Sequence, residues 1–249
     1  MKLIASLIVR NELNRYLPLA VEHLLSFCDE IRLLDDGSDD GTYEYLVDRE
    51  LSGDPVKALR NPGPAFFEYE SRARQTLNEW TMVGKPDYVL SIDADEFVAD
   101  PYIVKECMQR RRPVYTLNML EVWEANELNL SLRVDGHWGP RLCPILWQAP
   151  VRLTREWAIP DRKLACGREP ERVRRTPHRK SGTDVLHFGW TNEAERQARA
   201  ERYFEHDQGK FHRDAHLQSI LWPRERVTMT AIEWPPGVAP MRERILERV

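Results

Sequence analysis

Asp93 and Asp95 stand two residues apart at the end of a short apolar run, Tyr88 to Ile92. On an extended segment, residues i and i+2 point the same way. Two carboxylates are thus aimed at one point just past a strand. Hard oxygen ligands in that arrangement suit a divalent cation that also holds phosphate oxygens, the chemistry of an enzyme that works on a nucleotide diphosphate. Two further polar clusters have the same placement: Arg10-Asn11-Glu12 follows the apolar run Leu3 to Val9, and Asp35-Asp36 follows Ile31 to Leu34. In open α/β sheets, ligands bind beyond the carboxyl ends of the strands. Each cluster alone reads as a turn, but three at equivalent strand ends read as a site.

Those strands need a scaffold. Leu3 to Val9 is an apolar run broken only by Ser6, as a strand buried on both faces is. Leu17, Val21, Leu24, Leu25 and Cys28 recur at helical spacing, which predicts a helix from about Arg15 to Cys28. After the strand at Ile31 to Leu34 comes a loop, Asp35 to Thr42, whose Asp or Ser can cap the next helix. That helix turns Tyr43, Leu46 and Val47 inward. Asn61-Pro62-Gly63-Pro64 is a break, and a helix from about Glu68 to Trp80 leads to the Asp93 strand. Alternating strands and helices predict an α/β chain with a mostly parallel sheet. The second half is less regular. Val114 to Leu120 reads as a strand, Glu121 to Trp147 mixes aromatics with Gly and Pro as a substrate-facing insertion would, and Val185 to Phe188 reads as a strand. Asn192 with Glu195 three residues on is a helix start, and the tail from Trp222 is Pro-rich with a short helix pattern at its end.

These segments resemble the family-2-like glycosyltransferases with the GT-A fold. Ser6 to Glu12 is similar to their first strand and its Asn-Glu end. Leu33-Leu34-Asp35-Asp36-Gly37-Ser38-Asp39-Asp40-Gly41-Thr42 resembles their Asp-Asp-Gly-Ser loop, and Asp93-Ala94-Asp95 stands where their metal-binding Asp-x-Asp stands. The resemblance implies one GT-A domain over residues 1–249: a nucleotide-sugar half at 1–98, an acceptor-side half at 99–190, and a helical tail at 191–249. It implies Mn²⁺ or Mg²⁺ and a nucleotide-diphosphate sugar as donor. It also implies roles. Asp36, with Asp35, would bind the nucleoside, and Arg10 and Glu12 would line its pocket. Arg72 or Arg74 would lie near the diphosphate. Asp93 would sit near the ribose and the metal, Asp95 would ligate the metal, and His187 would complete its shell. Arg133-Val134-Asp135-Gly136, with Trp123 before it and Arg141 after it, is similar to a pattern of one branch of the family. Asp135 is then a candidate base or acceptor contact, with Asp161 and Asp184 as rivals. At Ala165, in the loop Leu164 to Gly167, the chain departs from a histidine of that pattern.

Each reading has a plainer rival. Asp35 and Asp36 can serve only a capping turn, His187 can be a satisfied core histidine, Asp135 can be the Asp of an Asp-Gly turn, and Trp123, Trp138 and Trp190 can be core. Rival functions also exist. A haloacid-dehalogenase phosphatase wants its Asp-x-Asp on the first strand. A nucleotidylyltransferase wants a Gly-rich loop after the first strand, where Arg10-Asn11-Glu12 stands. A dinucleotide oxidoreductase wants a Gly-x-Gly-x-x-Gly, which the chain lacks. A non-catalytic nucleotide-sugar or glycan-binding module stays open.

Composition narrows the class. With 42% apolar and 31% charged residues the chain reads as globular, and a net charge of −4 gives no reason to expect nucleic acid. The basic run from Arg168 to Arg179 is either a solvated loop or a surface for an anionic donor or acceptor. Cys28, Cys107, Cys143 and Cys166 lack zinc-site spacing. No apolar run reaches the roughly 20 residues of a membrane span, and only Met1 and Lys2 precede the first strand. Cytoplasm is therefore the expected location, with peripheral membrane contact left open. The acceptor is expected to be a glycan, a small molecule or a protein.

Overall fold

A computed structural model describes residues 1–66, 68–163, 167–207 and 214–249; of Asp207 and Asp214 only the backbone is considered. The departure at Ala165 and the cysteine at Cys166 lie outside the described residues. In chain order the elements are β1 (Leu3–Val9), α1 (Leu17–Leu25), β2 (Glu30–Asp35), α2 (Thr42–Leu51), β3 (Val56–Arg60) and α3 (Glu70–Val83). They continue with β4 (Tyr88–Ser91), β5 (Glu96–Val98), α4 (Pro101–Gln109), β6 (Val114–Ala125), β7 (Asn129–Arg133) and β8 (Arg141–Gln148). The last are α5 (Glu171–Arg175), β9 (Arg179–His187), α6 (Glu193–Asp207), α7 (Asp214–Ile220), β10 (Met229–Glu233) and α8 (Arg242–Leu246).

The chain divides into two compact units. The first comprises Met1–Ala94, Pro101–Leu117 and Cys143–Gly182; the second comprises Asp95–Asp100, Asn118–Leu142 and Thr183–Val249. In the first unit, β8, β4, β1, β2 and β3 lie side by side. The pairs β1–β2, β2–β3 and β1–β4 are parallel, and β4–β8 is antiparallel. The expected α/β chain with a central, mostly parallel sheet flanked by helices is what forms. β1 is apolar apart from Ser6 because it is central: Leu3, Ile4, Ala5 and Leu7 are fully buried. α3 lays Ala73 and Leu77 on Leu34 of β2, with Ile8 and Leu59 beside them.

In the second unit, β6, β7 and β10 form an antiparallel ribbon, and β5 pairs antiparallel with β9. Three differences from the sequence reading have physical causes. β3 has a weak pattern, Val-Lys-Ala-Leu-Arg, because it pairs on one side only and solvent reaches its end. The stretch read as an insertion, Glu121 to Trp147, is largely strand: β6 runs on to Ala125, and Asn126 Oδ1 accepts the N–H of Leu128 and of Asn129, both at 2.9 Å, to turn the chain into β7. The tail is not only helical, since β10 adds to β7. Asn192 caps as expected, accepting the Glu195 N–H at 3.1 Å. Among the described residues no helix is long and apolar enough to cross a membrane, and burial raises the pKa of the Cys28 and Cys107 thiols.

Candidate metal centre

In the first unit the loops after β1 and β2 are knitted together. Asn11 donates its N–H to Ser38 Oγ at 2.9 Å, Glu12 donates to Thr42 Oγ1 at 2.9 Å, and Asp39 donates to Asn11 Oδ1 at 3.0 Å. Glu12 pairs with Arg15, and Arg10 is exposed. Asp40 rather than Asp39 receives the N–H of Thr42, at 2.9 Å.

Asp35 and Asp36 are both fully buried, yet they do different things. Asp36 commits both oxygens to the loop after β3. Oδ1 accepts Asn61 Nδ2 at 2.8 Å and Ala65 N at 3.0 Å, and Oδ2 accepts Phe66 N at 2.9 Å. Gly37 allows this approach: its φ is +73°, and a Cβ there would stand 2.8 Å from the Gly63 carbonyl carbon. Asp35 Oδ2 takes Ser38 N at 3.2 Å and faces Arg60 Nε at 3.4 Å, while Oδ1 has no hydrogen-bond partner. A buried carboxylate oxygen left unpaired costs on the order of 1–3 kcal/mol.

Asp93, which ends the first unit's β4 segment, accepts Arg168 Nη2 on Oδ2 at 2.7 Å. Arg168 and Arg74 line one small cavity of about 10 Å³ with Ser6, Ser91, Leu77, Val89 and Trp147, room for a single water. Arg74 also pairs with Glu70 at 2.7 Å, and Arg72 stacks on Tyr69 at 4.3 Å. Elsewhere in the basic run, Arg172, Arg174 and Arg175 pair with Glu156, Glu169 and Glu171, so most of that charge is locally neutralised.

In the second unit, Asp95, Glu96 and His187 bring ligand atoms within 4.8 Å of one another, all buried. Strand pairing explains it. Glu96 of β5 stands opposite His187 of β9, and directly opposed residues of an antiparallel pair share a face. The Asp95 carbonyl accepts the Phe188 N–H at 2.8 Å, which fixes Asp95 against the end of β9. Asp95 Oδ1 lies 3.5 Å from His187 Nε2, and Asp95 Oδ2 accepts Arg199 Nη2 at 2.9 Å. Asp93 is not a member of this cluster.

Behind the imidazole stands Glu121, fully buried. Its Oε2 lies 2.5 Å from His187 Nδ1 and accepts Trp190 Nε1 at 2.8 Å, and its Oε1 pairs with Arg141. Burial raises the Glu121 pKa, but the His187 and Arg141 charges outweigh it and bring it to about 2. Burial lowers that of His187, but the Glu121 and Asp95 carboxylates outweigh it and lift it to about 10. Sequence reading missed Glu121, Glu96, Arg199 and Arg168 as members of these networks. Glu121 had a visible signal: it is the one charge in the strand-like run from Val114 to Trp123, and such a charge is rarely buried unpaired.

Gly189 packs closely against the cluster: a Cβ there would stand 2.7 Å from His187 Nε2 and from Arg199 Nη1, and closer still to Asp95 Oδ2. Two carboxylates and an imidazole with ligand atoms within 4.8 Å of one another are a donor set that fits a divalent cation of the Mn²⁺ type, and Gly189 leaves no space for a side chain beside them. Gly189→Ala is therefore expected to weaken Mn²⁺ binding by about 10-fold or more, the scale of losses around metal sites. Its stability cost should be only about 1–3 kcal/mol of overpacking. Calorimetric titration with Mn²⁺ checks this, and unchanged affinity would place the cation elsewhere.

The candidate base is differently employed. Asp135 Oδ2 accepts Arg133 Nε at 2.6 Å, and Oδ1 accepts the N–H of His137 at 2.9 Å and of Trp138 at 3.1 Å. Burial raises its pKa, but the Arg133 guanidinium and these two N–H groups outweigh it and hold the carboxyl below the usual range. A carboxylate so stabilised is a weak proton acceptor. Of its rivals, Asp161 accepts Ser71 Oγ at 3.2 Å and Asp184 accepts Asn118 Nδ2 at 3.0 Å. The branch-specific pattern thus makes framework contacts: Arg133 lies 4.5 Å over Trp123, and Arg141 holds Glu121. Trp123, Trp138 and Trp190 are core, buried together with Ala200, Leu217 and Ile220.

No family model matches this chain, and no curated protein matches it. Among solved structures it is similar to the mannosyltransferase PcManGT of Pyrobaculum calidifontis in complex with GDP-Man and Mn²⁺, at 12% identity over 99% of this chain and 68% of that one, with a TM-score of 0.49. HddC of Yersinia pseudotuberculosis is similar at 10% identity over 84% of this chain and 99% of that one, with a TM-score of 0.47. GalNAc-T7 with UDP, GalNAc and Mn²⁺ is similar at 19% identity over 49% of this chain, with a TM-score of 0.40; the match spans 23% of that protein's length. With TM-scores under 0.5, these likenesses decide nothing about chemistry, and the residues of the site must do so.

Proposed function

We propose that this chain is a metal-dependent glycosyltransferase of the family-2-like, GT-A kind, which moves a sugar from a nucleotide-diphosphate donor to an acceptor hydroxyl. The observation that carries this reading is the buried cluster of Asp95, Glu96 and His187, with ligand atoms within 4.8 Å of one another. Mixed carboxylate and imidazole ligands favour Mn²⁺ over Mg²⁺. A divalent cation bound there supplies Lewis-acid stabilisation of the charge on the departing nucleotide diphosphate.

The chain's own residues do the rest. Asp95 and His187 hold the cation, and Glu96 adds a third ligand. Asp35 offers its unpartnered Oδ1 to a donor hydrogen on the nucleoside, and Asp36 keeps the neighbouring loop in place for it. Arg10 and Glu12 line the same pocket, Asp93 turns toward the ribose, and Arg72 or Arg74 supplies a guanidinium group for the diphosphate. The acceptor hydroxyl belongs to a glycan, a small molecule, a lipid-linked saccharide or a protein.

The test is thermal stability with UDP, GDP and dTDP, each with and without Mn²⁺. A ligand that binds only the folded state raises apparent stability in proportion to the logarithm of its concentration over its dissociation constant. One nucleotide should raise the midpoint, and only when metal is present. No shift with any nucleotide rejects the reading. A metal-independent shift removes the role of the cation. Nucleotide release from the matching sugar donor on adding acceptor then separates a transferase from a binding module.

A further inference from the structure

A neutral imidazole can bind a cation through only one of its nitrogens, and the partner of the other nitrogen decides which one. His187 Nδ1 lies 2.5 Å from Glu121 Oε2, and His187 Nε2 faces Asp95 Oδ1 and the space a Gly189 Cβ would take. Ionised Glu121 can only accept hydrogen bonds. A proton must therefore stay on Nδ1, so the nitrogen that gives up its proton to a cation is Nε2. Glu121 cannot drift from this post, because it is fully buried, Arg141 holds its other oxygen and Trp190 donates to the oxygen that His187 uses.

We propose that Glu121 is the positioning residue of the metal centre, holding His187 as the Nδ1–H tautomer so that Nε2 is presented to the cation beside Asp95. This rests on the reading of the cluster as a metal site. The arrangement also gives Arg141 a purpose at one remove: it compensates the Glu121 charge while the imidazole is neutral and bound to metal.

The experiment is titration of the full chain with Mn²⁺ alone, for the wild type and for Glu121→Gln, His187→Ala and Arg133→Met. A glutamine amide can donate to Nδ1 and so release the wrong tautomer. Glu121→Gln is expected to bind Mn²⁺ about 10–100-fold more weakly, the usual loss when an outer partner of a metal-bound histidine is removed. Arg133→Met, which disturbs the same unit's core without touching His187, should lose stability and keep Mn²⁺ affinity near wild type. If Glu121→Gln binds like wild type while His187→Ala does not, Glu121 has no positioning role and the metal centre stands. If wild type fails to bind, or His187→Ala binds normally, the metal reading of His187 falls and this inference falls with it. Should Glu121→Gln not fold, nitrogen-15 spectra of the wild type loaded with Zn²⁺ decide the matter: a proton on Nδ1 and metal on Nε2 are expected, and the reverse overturns the proposal.

Discussion

Asp95→Asn should abolish measurable Mn²⁺ binding while leaving the fold intact. The substitution keeps the side-chain volume and still offers an oxygen to Arg199, whose Nη2 lies 2.9 Å from Oδ2. It removes one of the two anionic charges in the ligand set, beside His187 Nε2 at 3.5 Å. Losing a partner outside the ligand set costs about 10–100-fold in affinity, so losing a ligand's charge should cost more than about 100-fold. At a metal concentration 100 times its dissociation constant the wild type gains about 2.7 kcal/mol of apparent stability. For a chain of this size that is a midpoint shift of roughly 5–10 °C. The variant should show almost none of that shift, with a far-ultraviolet spectrum like that of the wild type. A full metal-dependent shift in Asp95→Asn would remove Asp95 from the ligand set and, with it, the observation on which the proposed function rests.

The largest effect on stability is expected at Arg133. Only 1% of this residue is exposed. Its Nε pairs with Asp135 at 2.6 Å, its Nη1 donates to the Ser219 carbonyl at 2.7 Å, and its guanidinium lies 4.5 Å over Trp123 and 5.5 Å over Trp222. Breaking a buried pair by removing one partner costs about 3–5 kcal/mol, because the other charge is left uncompensated. Arg133→Ala should lose about that much in urea unfolding. In a double-mutant cycle, Arg133→Met should cost clearly less when Asp135 is already Asn, which keeps its cap on His137 N and Trp138 N but carries no charge. Equal costs in both backgrounds would show that the pair is not coupled. The pH dependence has a definite sign. Asp135 has a depressed pKa in the folded chain. Its contribution is complete above the ordinary carboxyl pKa of about 3.9 and is lost as pH falls through the lower folded value. The gap between wild type and Arg133→Ala should therefore narrow below about pH 4.

β1, β2 and β4 of the first unit's sheet, and the polar residues at their ends, are legible in the amino-acid sequence. β1 is central in the sheet, so six of its seven residues are apolar, with Ser6 the exception, and its limits, Leu3–Val9, are legible to the residue. Asp35, Asp36 and Asp93 announce themselves by following such runs. β3 and β10 were not legible, because a strand that pairs at an edge carries no continuous apolar signal. Tertiary structure alone decided which acids belong together. Asp35 and Asp36 are identical neighbours in the chain, but the contact between Gly37 and the loop at Gly63 gives Asp36 four hydrogen bonds and leaves Asp35 Oδ1 without one. Asp135 looked free for chemistry, since a lone Asp before Gly carries no sign of its partner, and folding gave it to Arg133. Glu121 and His187 are 66 residues apart, and no local pattern relates them. Their pairing exists because β6 and β9 bring both side chains into one buried space, where an acid and an imidazole must satisfy each other.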